Sequence, residues 1–523
     1  MVAENIIDSP VQNFYKSPVR RILIFILLVS GAVLSHGQDS IFDYRLNISL
    51  NNYSVYDILR VIEKEINYNF SYNSYLIDAD RVISVNMRNK TLREVLDKII
   101  DNKSLKYRVI GNNIVIYEPG SIIERIPETI LPESVSILMI EGKIIDKNTK
   151  KPIEYANISL IGKSIGTVSN TDGEFIMKIS PAFIYDSIGV SCIGYELYKE
   201  LALNLVSKNN IISLVPDFIP IQEVIIRKID PISLLTSAID KIPENYSDKP
   251  AILTSFYRES IKESRRYVIV SEAVLQTYKS SYTKPDDKEQ IKIIKARTSR
   301  DISKADTVIL KLKAGLGTTL MLDIVKHPAY FFSEENLQYY SYRMADVMID
   351  NDKEAYVIKF DHRENNDYPP YTGRIYLDIN SLAVKAVDFS FKQDKIEKAS
   401  RFLVIKKPRY LRVKPIKAEY SVKFKEFNNK YYLNFIRCET EFRIRKKKQL
   451  FGKDFNTVIE LAVTDVDTMH VKRFKSREVA KTMNIFTDQA IEYNDSYWEE
   501  YNYIKPDEPL EEALKNFNPH PGE

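Results

Sequence analysis

Residues 141–179 read EGKIIDKNTKKPIEYANISLIGKSIGTVSNTDGEFIMKI and decide the fold of the middle of the chain. Short apolar–polar alternations recur here, separated by turn residues such as those at 170–173. Alternation with period two is typical of a half-buried strand, and Asp172-Gly173 suits a turn with positive φ. Several short strands at even spacing predict a seven-stranded type of β-sandwich over residues 138–226.

The same stretch, followed by DSIGVSCIGYE at 186–196, resembles the carboxypeptidase regulatory-like domain, a transthyretin-like sandwich. The resemblance covers the whole segment and implies an accessory domain, not a peptidase. No His occurs in it, so the metal pair His-x-x-Glu is absent from its sequence. Asp172 is a potential metal ligand, but its position before Gly173 favours a turn.

Two amphipathic helices are predicted ahead of the sandwich. Ser54 precedes apolar residues at helical spacing and can cap the first helix. Thr91 can cap the second, with Glu94 at the capping-box position. Strands are predicted at 42–48, 68–72 and 82–85, and a final strand pair at 105–110 and 114–117. Residues 38–119 therefore predict a small repeated β-α-β module.

The stretches NNYSVYDILRVIEKEINYNFSYN (51–73) and NMRNKTLREVLDKIIDNKSLKYRVIGNNIVIY (86–117) resemble the secretin and TonB short N-terminal domain. The resemblance implies a periplasmic interaction domain that contacts an envelope protein, for which a signalling or TonB-system protein is one candidate. A generic α+β structural module is the alternative. The two modules and the leader together resemble envelope proteins of the Bacteroidetes group.

Residues 227–523 carry the least specific signals. Alternating apolar runs predict strands at 253–261, 267–279, 355–361, 372–378, 383–391, 416–427 and 431–445. A C-terminal antiparallel β-rich domain is therefore predicted, and it loosely resembles the curved sheets of periplasmic lipoprotein carriers. A region near 312–340 is predicted to be helical or irregular. The fold class as a whole is α+β and all-β multidomain.

Two connecting segments separate these modules. Residues 120–137 contain Gly120, Pro127 and Pro132 and predict a linker. After the sandwich, FIPIQEVIIRK at 218–228 resembles the segment that leads into the plug of TonB-dependent receptors. The residues that follow it do not resemble a plug, which weakens the expectation of a transport role.

The N-terminus and the composition indicate export. The apolar run at 22–34 follows Arg20 and Arg21, and Ser35 and Gly37 precede Gln38, which is the layout of a secretory signal peptide over 1–37. An uncleaved anchor is the alternative. We therefore expect a periplasmic location or one on the periplasmic face of the outer membrane. A net charge of +4 over 523 residues gives no reason to expect a nucleic-acid partner.

The cysteine and histidine usage predicts no cofactor. The two cysteines, Cys192 and Cys438, lie far apart in strand-like runs and are predicted to be buried free thiols. No C-x-x-C motif occurs. The histidines of the expected mature chain are scattered at His327, His362, His470 and His520.

No catalytic, cofactor-binding or metal site is predicted. Asp361-His362 is an adjacent acid–His pair at a predicted strand end, where a surface position is favoured. Residues 315–319 (GLGTT) lack the Lys of a phosphate loop and predict a flexible turn. A basic run at a strand end predicts a solvated loop, with anionic lipid or lipopolysaccharide contact as the alternative; it comprises Arg443, Arg445, Lys446, Lys447 and Lys448.

These patterns predict a non-enzymatic envelope protein. Its front module docks on an envelope partner, and its C-terminal β domain binds an apolar or envelope ligand. One alternative is an outer-membrane transport or signalling component of the TonB-dependent receptor type. The second alternative is a hydrolase in the C-terminal region, but the sequence of that region contains no nucleophile motif. An acidic or His cluster facing one pocket would favour that second alternative.

Overall fold

The computed structural model describes residues 38–72, 76–79, 81–110, 113–120, 137–206, 208–219, 230–284, 286–300, 311–312, 315–364, 366–399, 403–406, 409–447, 449–481 and 498–517. The expected signal peptide at 1–37 lies outside this part of the chain. So do residues 121–136 of the expected linker and residues 220–228 of the segment that resembles a receptor lead-in.

Two helices and five strands form the front module: β1 (Arg45–Ser54), α1 (Val55–Ile66), β2 (Asn69–Tyr72), β3 (Val82–Thr91), α2 (Leu92–Ile100), β4 (Lys106–Ile110) and β5 (Asn113–Tyr117). The Ser54 hydroxyl accepts a hydrogen bond from the N–H of Asp57, and Thr91 and Glu94 form the predicted capping box. β1 pairs with β3, and β5 lies between β2 and β4. The expected strand at 42–48 is shifted, because Gln38–Asp43 is a 3-10 helix.

The sandwich has the predicted seven strands: β6 (Leu138–Asp146), β7 (Asn157–Leu160), β8 (Gly166–Val168), β9 (Glu174–Ile179), β10 (Ser187–Ser191), β11 (Tyr198–Leu201) and β12 (Asn209–Leu214). Its sheets have the orders β11-β10-β7-β8 and β12-β6-β9, and a short helix, α3 (Ala202–Leu205), precedes β12. Asp172 lies in the predicted turn, where Gly173 has φ +74°. The Asn170 side chain accepts the N–H groups of Asp172 and Glu174.

One antiparallel sheet of eleven strands dominates the C-terminal part. In chain order its strands are β13 (Phe218–Ile219), β14 (Ala251–Glu263), β15 (Arg266–Lys279), β16 (Gln290–Arg300), β18 (Tyr340–Asp350), β19 (Lys353–His362), β20 (Tyr371–Asp378), β21 (Val384–Phe391), β23 (Leu411–Phe427), β24 (Lys430–Lys446) and β25 (Lys453–Asp467). Two short strands, β17 (Lys311–Leu312) and β22 (Val404–Lys406), pair separately. The order across the large sheet is β13-β18-β19-β20-β21-β23-β24-β25-β14-β15-β16.

The helices of this part are short: α4 (Pro231–Asp240), α5 (Ile242–Asn245), α6 (Leu316–Met321) and α7 (Glu508–Phe517). With the 3-10 helices Tyr330–Phe332 and Glu334–Tyr339, α6 forms the region expected to be helical or irregular. All seven predicted C-terminal strands are present, and β16, β17, β18, β22 and β25 add to them. Within the described residues, no helix combines the length and the apolar character that crossing a membrane requires.

The two faces of the large sheet are buried against different partners. Leu253, Tyr257 and other side chains of one face pack in a core that also contains residues of α4 and α6. The opposite face meets the sandwich, where Tyr155 stacks on Phe435 with ring centroids 5.0 Å apart. The C-terminal segment covers the same face, with Trp498 edge-on to Phe256 at 5.3 Å.

A buried ion pair marks the junction between the front module and the sandwich. The Lys163 ammonium lies 3.5 Å from the Asp186 carboxylate, and their side chains are only 5% and 1% exposed. Asp186 also accepts the backbone N–H of Tyr72, at 2.9 Å. The same ammonium lies over the rings of Tyr56, Tyr72 and Phe183.

The large sheet closes this junction from a third side. Tyr56 meets the ring of Phe427 edge-on, with centroids 5.3 Å apart. The Ser164 hydroxyl, next to Lys163, donates to Asp465 of β25. The modules therefore pack on one another around a common buried centre, whereas the sequence had suggested units strung one after another.

We expect Lys163→Ala to destabilise the protein by about 3 kcal/mol, because it leaves the buried Asp186 carboxylate without its cation. Urea denaturation measures the effect. Lys199→Ala is the matched control, since Lys199 pairs with Asp352 at 2.7 Å on the surface, where such pairs contribute about 0–1 kcal/mol. Equal losses in the two variants would contradict a special role for the buried pair.

Burial raises the pKa of Asp186 to about 6 in the folded protein, in spite of the Lys163 charge beside it. A raised carboxyl pKa stabilises the folded state below the unfolded pKa, and this contribution is lost as pH rises through the folded pKa. We therefore expect the unfolding free energy of the wild type, relative to Asp186→Asn, to fall by about 2 kcal/mol between pH 4 and pH 6.5. Urea denaturation at several pH values tests this, and a difference that stays constant across the window would contradict it.

Candidate functional site

A single row of directly opposed residues crosses ten strands of the large sheet. The registers pair each member with the next from β18 to β16. Directly opposed residues in antiparallel strands share a face, and here it is the face toward the sandwich. In spatial order the row is Arg343, Lys359, Arg374, Asp388, Ser421, Arg437, Glu460, Arg258, Glu272 and Arg297.

The half of this row from Arg437 to Arg297 is closed to solvent, and its positive and negative charges neutralise one another. We call it the closed half. Arg258 donates from Nε to Glu272 at 2.8 Å, and its Nη1 lies 3.5 Å from Glu460. Arg297 donates from Nε to the other oxygen of Glu272, at 2.7 Å. Burial acts to raise the pKa of Glu272, but the two guanidinium groups outweigh it and hold that pKa below its usual value. Charges of opposite sign alternate here, and this favours the ionised form of Glu272 inside the protein.

Aromatic and backbone groups seal this closed half. Arg258 donates from Nη2 to the carbonyl oxygen of Ile504 at 2.6 Å. The Arg297 guanidinium lies over the Trp498 ring at 4.8 Å, and that of Arg437 lies over the Tyr155 ring at 5.4 Å. The C-terminal segment and the sandwich thus form the lid over the buried ions.

The other half of the row lines an open groove of about 770 Å³. Arg343, Lys359 and Arg374 are directly opposed on three successive strands, and like charges in that arrangement repel. None of the three has an ion pair within the described residues. Burial raises the pKa of Tyr376, the hydrogen-bonding neighbour of Arg374, to about 12, so its hydroxyl is neutral near pH 7.

The carboxylates around the groove have other partners. Asp361 pairs with Lys392 at 3.1 Å, and Glu419 pairs with Lys417 at 2.9 Å. Asp388, opposite Arg374, accepts the Ser421 hydroxyl at 2.7 Å. Asp388 is therefore the one carboxylate of the row beside three adjacent cations, and the row keeps an excess of positive charge in the groove. This arrangement can bind an anionic group that bridges neighbouring strands.

A second buried cluster contains both acids and a histidine. The Lys279 ammonium lies 2.5 Å from Glu289 and 2.5 Å from Asp323, and Tyr282 donates to Asp323 at 3.0 Å. His327 lies 3.3 Å from Glu289. Burial acts to lower the pKa of Lys279, but the two carboxylates raise it above its usual value. The lysine occupies the space between the acids, where a metal or a catalytic water would have to sit, so the cluster is an ion-pair core.

The residues considered from sequence do not come together in one site. Asp361 and His362 are consecutive in β19 and so point to opposite faces. The surface position expected for His362 is wrong: the side chain is 5% exposed, it hydrogen-bonds to Asn366 at 2.6 Å, and burial lowers its pKa. Residues 315–319 are not a flexible turn, because α6 begins at Leu316 and both Leu316 and Thr319 are buried.

The remaining candidates also have defined positions. The Asp172 carboxylate accepts the backbone N–H of Glu508 at 3.1 Å. Cys192 and Cys438 are free thiols, as predicted, with Cys438 buried and Cys192 partly so. Across the described part of the chain, no group of three or more His, Cys, Asp and Glu side chains is arranged to hold a metal ion.

The sequence interpretation missed the charged row. It gave no chemical role to Phe256–Glu259, although Arg258 lies at the centre of the closed half. The available signal was a charged residue at an inward position of a strongly apolar strand, repeated at Glu272. The pairing of strands that are distant in sequence brings such residues together. The spacing of residues along one strand does not predict that pairing.

Comparison with known protein families gives two matches. Residues 140–226 match the CarboxypepD_reg-like domain, and residues 68–119 match the Secretin and TonB N terminus short domain. The predicted identity and order of the two domains are confirmed. Both are regulatory or non-catalytic types, and together they indicate an envelope-associated protein. A comparison with curated proteins finds no match.

Similarity to solved structures is weak. A DUF1329 family protein from Desulfovibrio piger is 10% identical and aligns over 47% of this chain and 96% of its own, with a TM-score of 0.21. A putative membrane-associated protein of unknown function from Bacteroides fragilis is also 10% identical and aligns over 63% of this chain and 98% of its own, with a TM-score of 0.12. The ferripyoverdine receptor of the Pseudomonas aeruginosa outer membrane is 7% identical and aligns over 84% of this chain and 60% of its own, with a TM-score of 0.13. Scores this low carry no weight for fold or function.

We expect Arg258→Met to destabilise the protein by about 3 kcal/mol, since it leaves Glu272 with one cation and Glu460 with only Arg437 opposite it. Arg412→Met is the control, because Arg412 is exposed and has no ion pair within the described residues. Urea denaturation of both variants measures the difference. A loss of less than about 1 kcal/mol for Arg258→Met would show that the closed half does not hold the sheet together.

Proposed function

We propose that the chain is an exported, non-enzymatic binding protein of the cell envelope, in the periplasm or on the periplasmic face of the outer membrane. In this proposal the module at 38–119 docks on an envelope protein, and the domain at 227–523 holds an envelope ligand. The observation that carries the ligand proposal is the set of adjacent cations Arg343, Lys359 and Arg374 in the groove, beside which the row places one carboxylate, that of Asp388.

The chemistry of the groove favours an anionic ligand over an apolar one. An anion placed between neighbouring strands would remove the repulsion between the opposed cations, and two guanidinium forks suit phosphate or carboxylate oxygens. Ser390 lines the same groove and offers a hydroxyl group, whereas the hydroxyls of Ser341 and Thr372 donate to the backbone carbonyl oxygens of Asp361 and Phe360. The apolar face of the sheet is packed against the chain's own residues. Phosphate-bearing lipid or lipopolysaccharide therefore fits the groove best.

Intramolecular contacts restrict which surface of the front module can meet a partner. α1 faces the large sheet through Tyr56, and β2 faces the sandwich through Ser71, whose hydroxyl donates to Ala182. β1 and β3 form a two-stranded ribbon that pairs with no other described strand. Unpaired strand edges accept a further strand, so we propose this ribbon as the docking edge for the envelope partner.

The groove proposal predicts that Lys359→Ala/Arg374→Ala weakens binding of a phosphate ligand at least about tenfold, since each charge-assisted hydrogen bond contributes about 1.5–3 kcal/mol. Isothermal titration with inorganic tripolyphosphate, and then with purified lipopolysaccharide, measures this. Lys103→Ala removes an exposed charge of the front module and should bind as the wild type does. The ligand proposal fails if neither probe binds the wild type, or if the double variant binds with unchanged affinity.

A further inference from the structure

Three loops meet at one edge of the large sheet, around the turn between β24 and β25. The Ser264 N–H of the β14–β15 turn donates to the Asp454 carbonyl oxygen, at 2.7 Å. The Lys447 N–H donates to the carbonyl oxygen of Tyr410, just ahead of β23, at 2.9 Å. We call this surface the apical edge and define it by Arg265, Arg409, Tyr410, Arg412, Lys446, Lys447, Leu450 and Phe451.

The tip of the apical edge is apolar and open to solvent. Leu450 is 84% exposed and Phe451 is 86% exposed, the highest values among the large hydrophobic residues exposed on the described surface. Tyr410 beside them is 57% exposed. Adjacent leucine and phenylalanine side chains in water forgo the free energy that burial would supply, so a pair held this way points to a binding surface.

The loop is held in place and is not a loose end. Arg443 donates from Nε and Nη2 to the two oxygens of Asp454, at 2.7 and 2.8 Å, across the base of the turn. Arg445 donates from Nη1 to the Leu450 carbonyl oxygen at 3.3 Å. These bonds fix the base of the turn and the backbone at Leu450, next to Phe451.

The charges around this tip are positive. Its nearby acids already have partners, because Asp454 pairs with Arg443 and Glu263 pairs with Lys453. The uncompensated side chains are all basic, and none of them has an ion pair within the described residues: Arg265, Arg409, Arg412, Lys446 and Lys447. The basic run expected to be a solvated loop is therefore part of a larger basic surface with an apolar centre.

We infer that the apical edge docks on an anionic lipid membrane, with Leu450 and Phe451 inserted among the acyl chains and the basic side chains on the lipid phosphates. A protruding apolar tip surrounded by cations matches the layering of a bilayer surface, in which charge lies outside and hydrocarbon inside. The long stems of the lysines and arginines let the charged groups stay at the phosphate level while the tip inserts.

The apical edge lies at the opposite end of the sheet from the front module. β24 has 17 residues, and its first residue follows the Phe427 turn that packs on Tyr56. At about 3.3 Å per residue, its far end lies roughly 50 Å along the strand from that contact. The membrane surface is thus separate from the groove and from the ribbon proposed for the protein partner, and it does not rest on either of them.

The test is co-sedimentation of the mature chain with vesicles of phosphatidylcholine alone and of phosphatidylcholine with phosphatidylglycerol. We expect binding to the anionic vesicles only, and weaker binding as salt is raised. Leu450→Ser/Phe451→Ser should reduce the affinity at least about tenfold, because two buried apolar side chains are lost. Lys446→Glu/Lys447→Glu should do the same, since each basic residue near a charged membrane contributes about a fivefold factor.

Two control variants distinguish insertion of Leu450 and Phe451 from nonspecific adsorption to vesicles. Ile211→Ser removes a side chain that is 73% exposed on the sandwich, and Lys103→Ala removes an exposed charge of the front module; both should bind vesicles as the wild type does. Polyglutamate is the competing probe. The inference is overturned if the wild type ignores anionic vesicles, if the Leu450/Phe451 variant binds them normally, or if polyglutamate binds in place of vesicles, which would assign the surface to an acidic protein.

Discussion

The burial of Arg258 is the constraint on which the large sheet depends. Its guanidinium contacts Glu272 on one neighbouring strand and Glu460 on the other, so it fixes the register of three strands at once. A slip of one residue would turn each of these charges to the apolar face and break the ion pairs of Arg258 with Glu272 and Glu460. The penalty for an unpaired buried charge is far greater than that for a lost apolar contact. The lid formed by the sandwich and the C-terminal segment follows from the same requirement, because these ions are strongly coupled only when water is excluded.

The charged row keeps the same strand pairing along its whole length, but its charges are neutralised to different extents in the closed half and in the groove. Under the lid, positive and negative residues alternate, and Glu460, Arg258 and Glu272 each have opposite charges on both sides. In the groove, three positive residues follow one another, Asp388 is the one acid next to them in the row, and Asp361 and Glu419 pair with other lysines. Stability favours the first pattern, since charge repulsion across directly opposed strand positions is unfavourable. The open half therefore departs from what folding alone would favour, and such departures are where ligand binding is most reasonably sought.

Local signals were enough to predict the parts of the fold that depend on neighbours in sequence. Ser54 and Thr91 cap their helices, and the Asp172-Gly173 turn forms, because a cap or turn needs only a few consecutive residues. The seven-stranded sandwich followed from strand spacing and turn residues. The row could not be predicted in this way, because Arg258 and Glu460 are 202 positions apart and meet only through strand pairing. The prediction of a surface position for His362 was wrong for a related reason. The ring of Tyr340 on β18 packs against His362, and that strand was not predicted.

The packing of the front module bears on whether it acts as a spacer or as a moving part. A module joined only by a flexible segment could report binding by changing its position. Here Lys163 and Asp186 are buried at the joint, Tyr72 donates to the same carboxylate, and Tyr56 packs on the large sheet. Moving the module would expose an ion pair and several aromatic rings together, and nothing at the joint replaces those contacts. The structure therefore favours a rigid body, in which whatever binds the β1–β3 ribbon is held at a fixed distance from the apical edge.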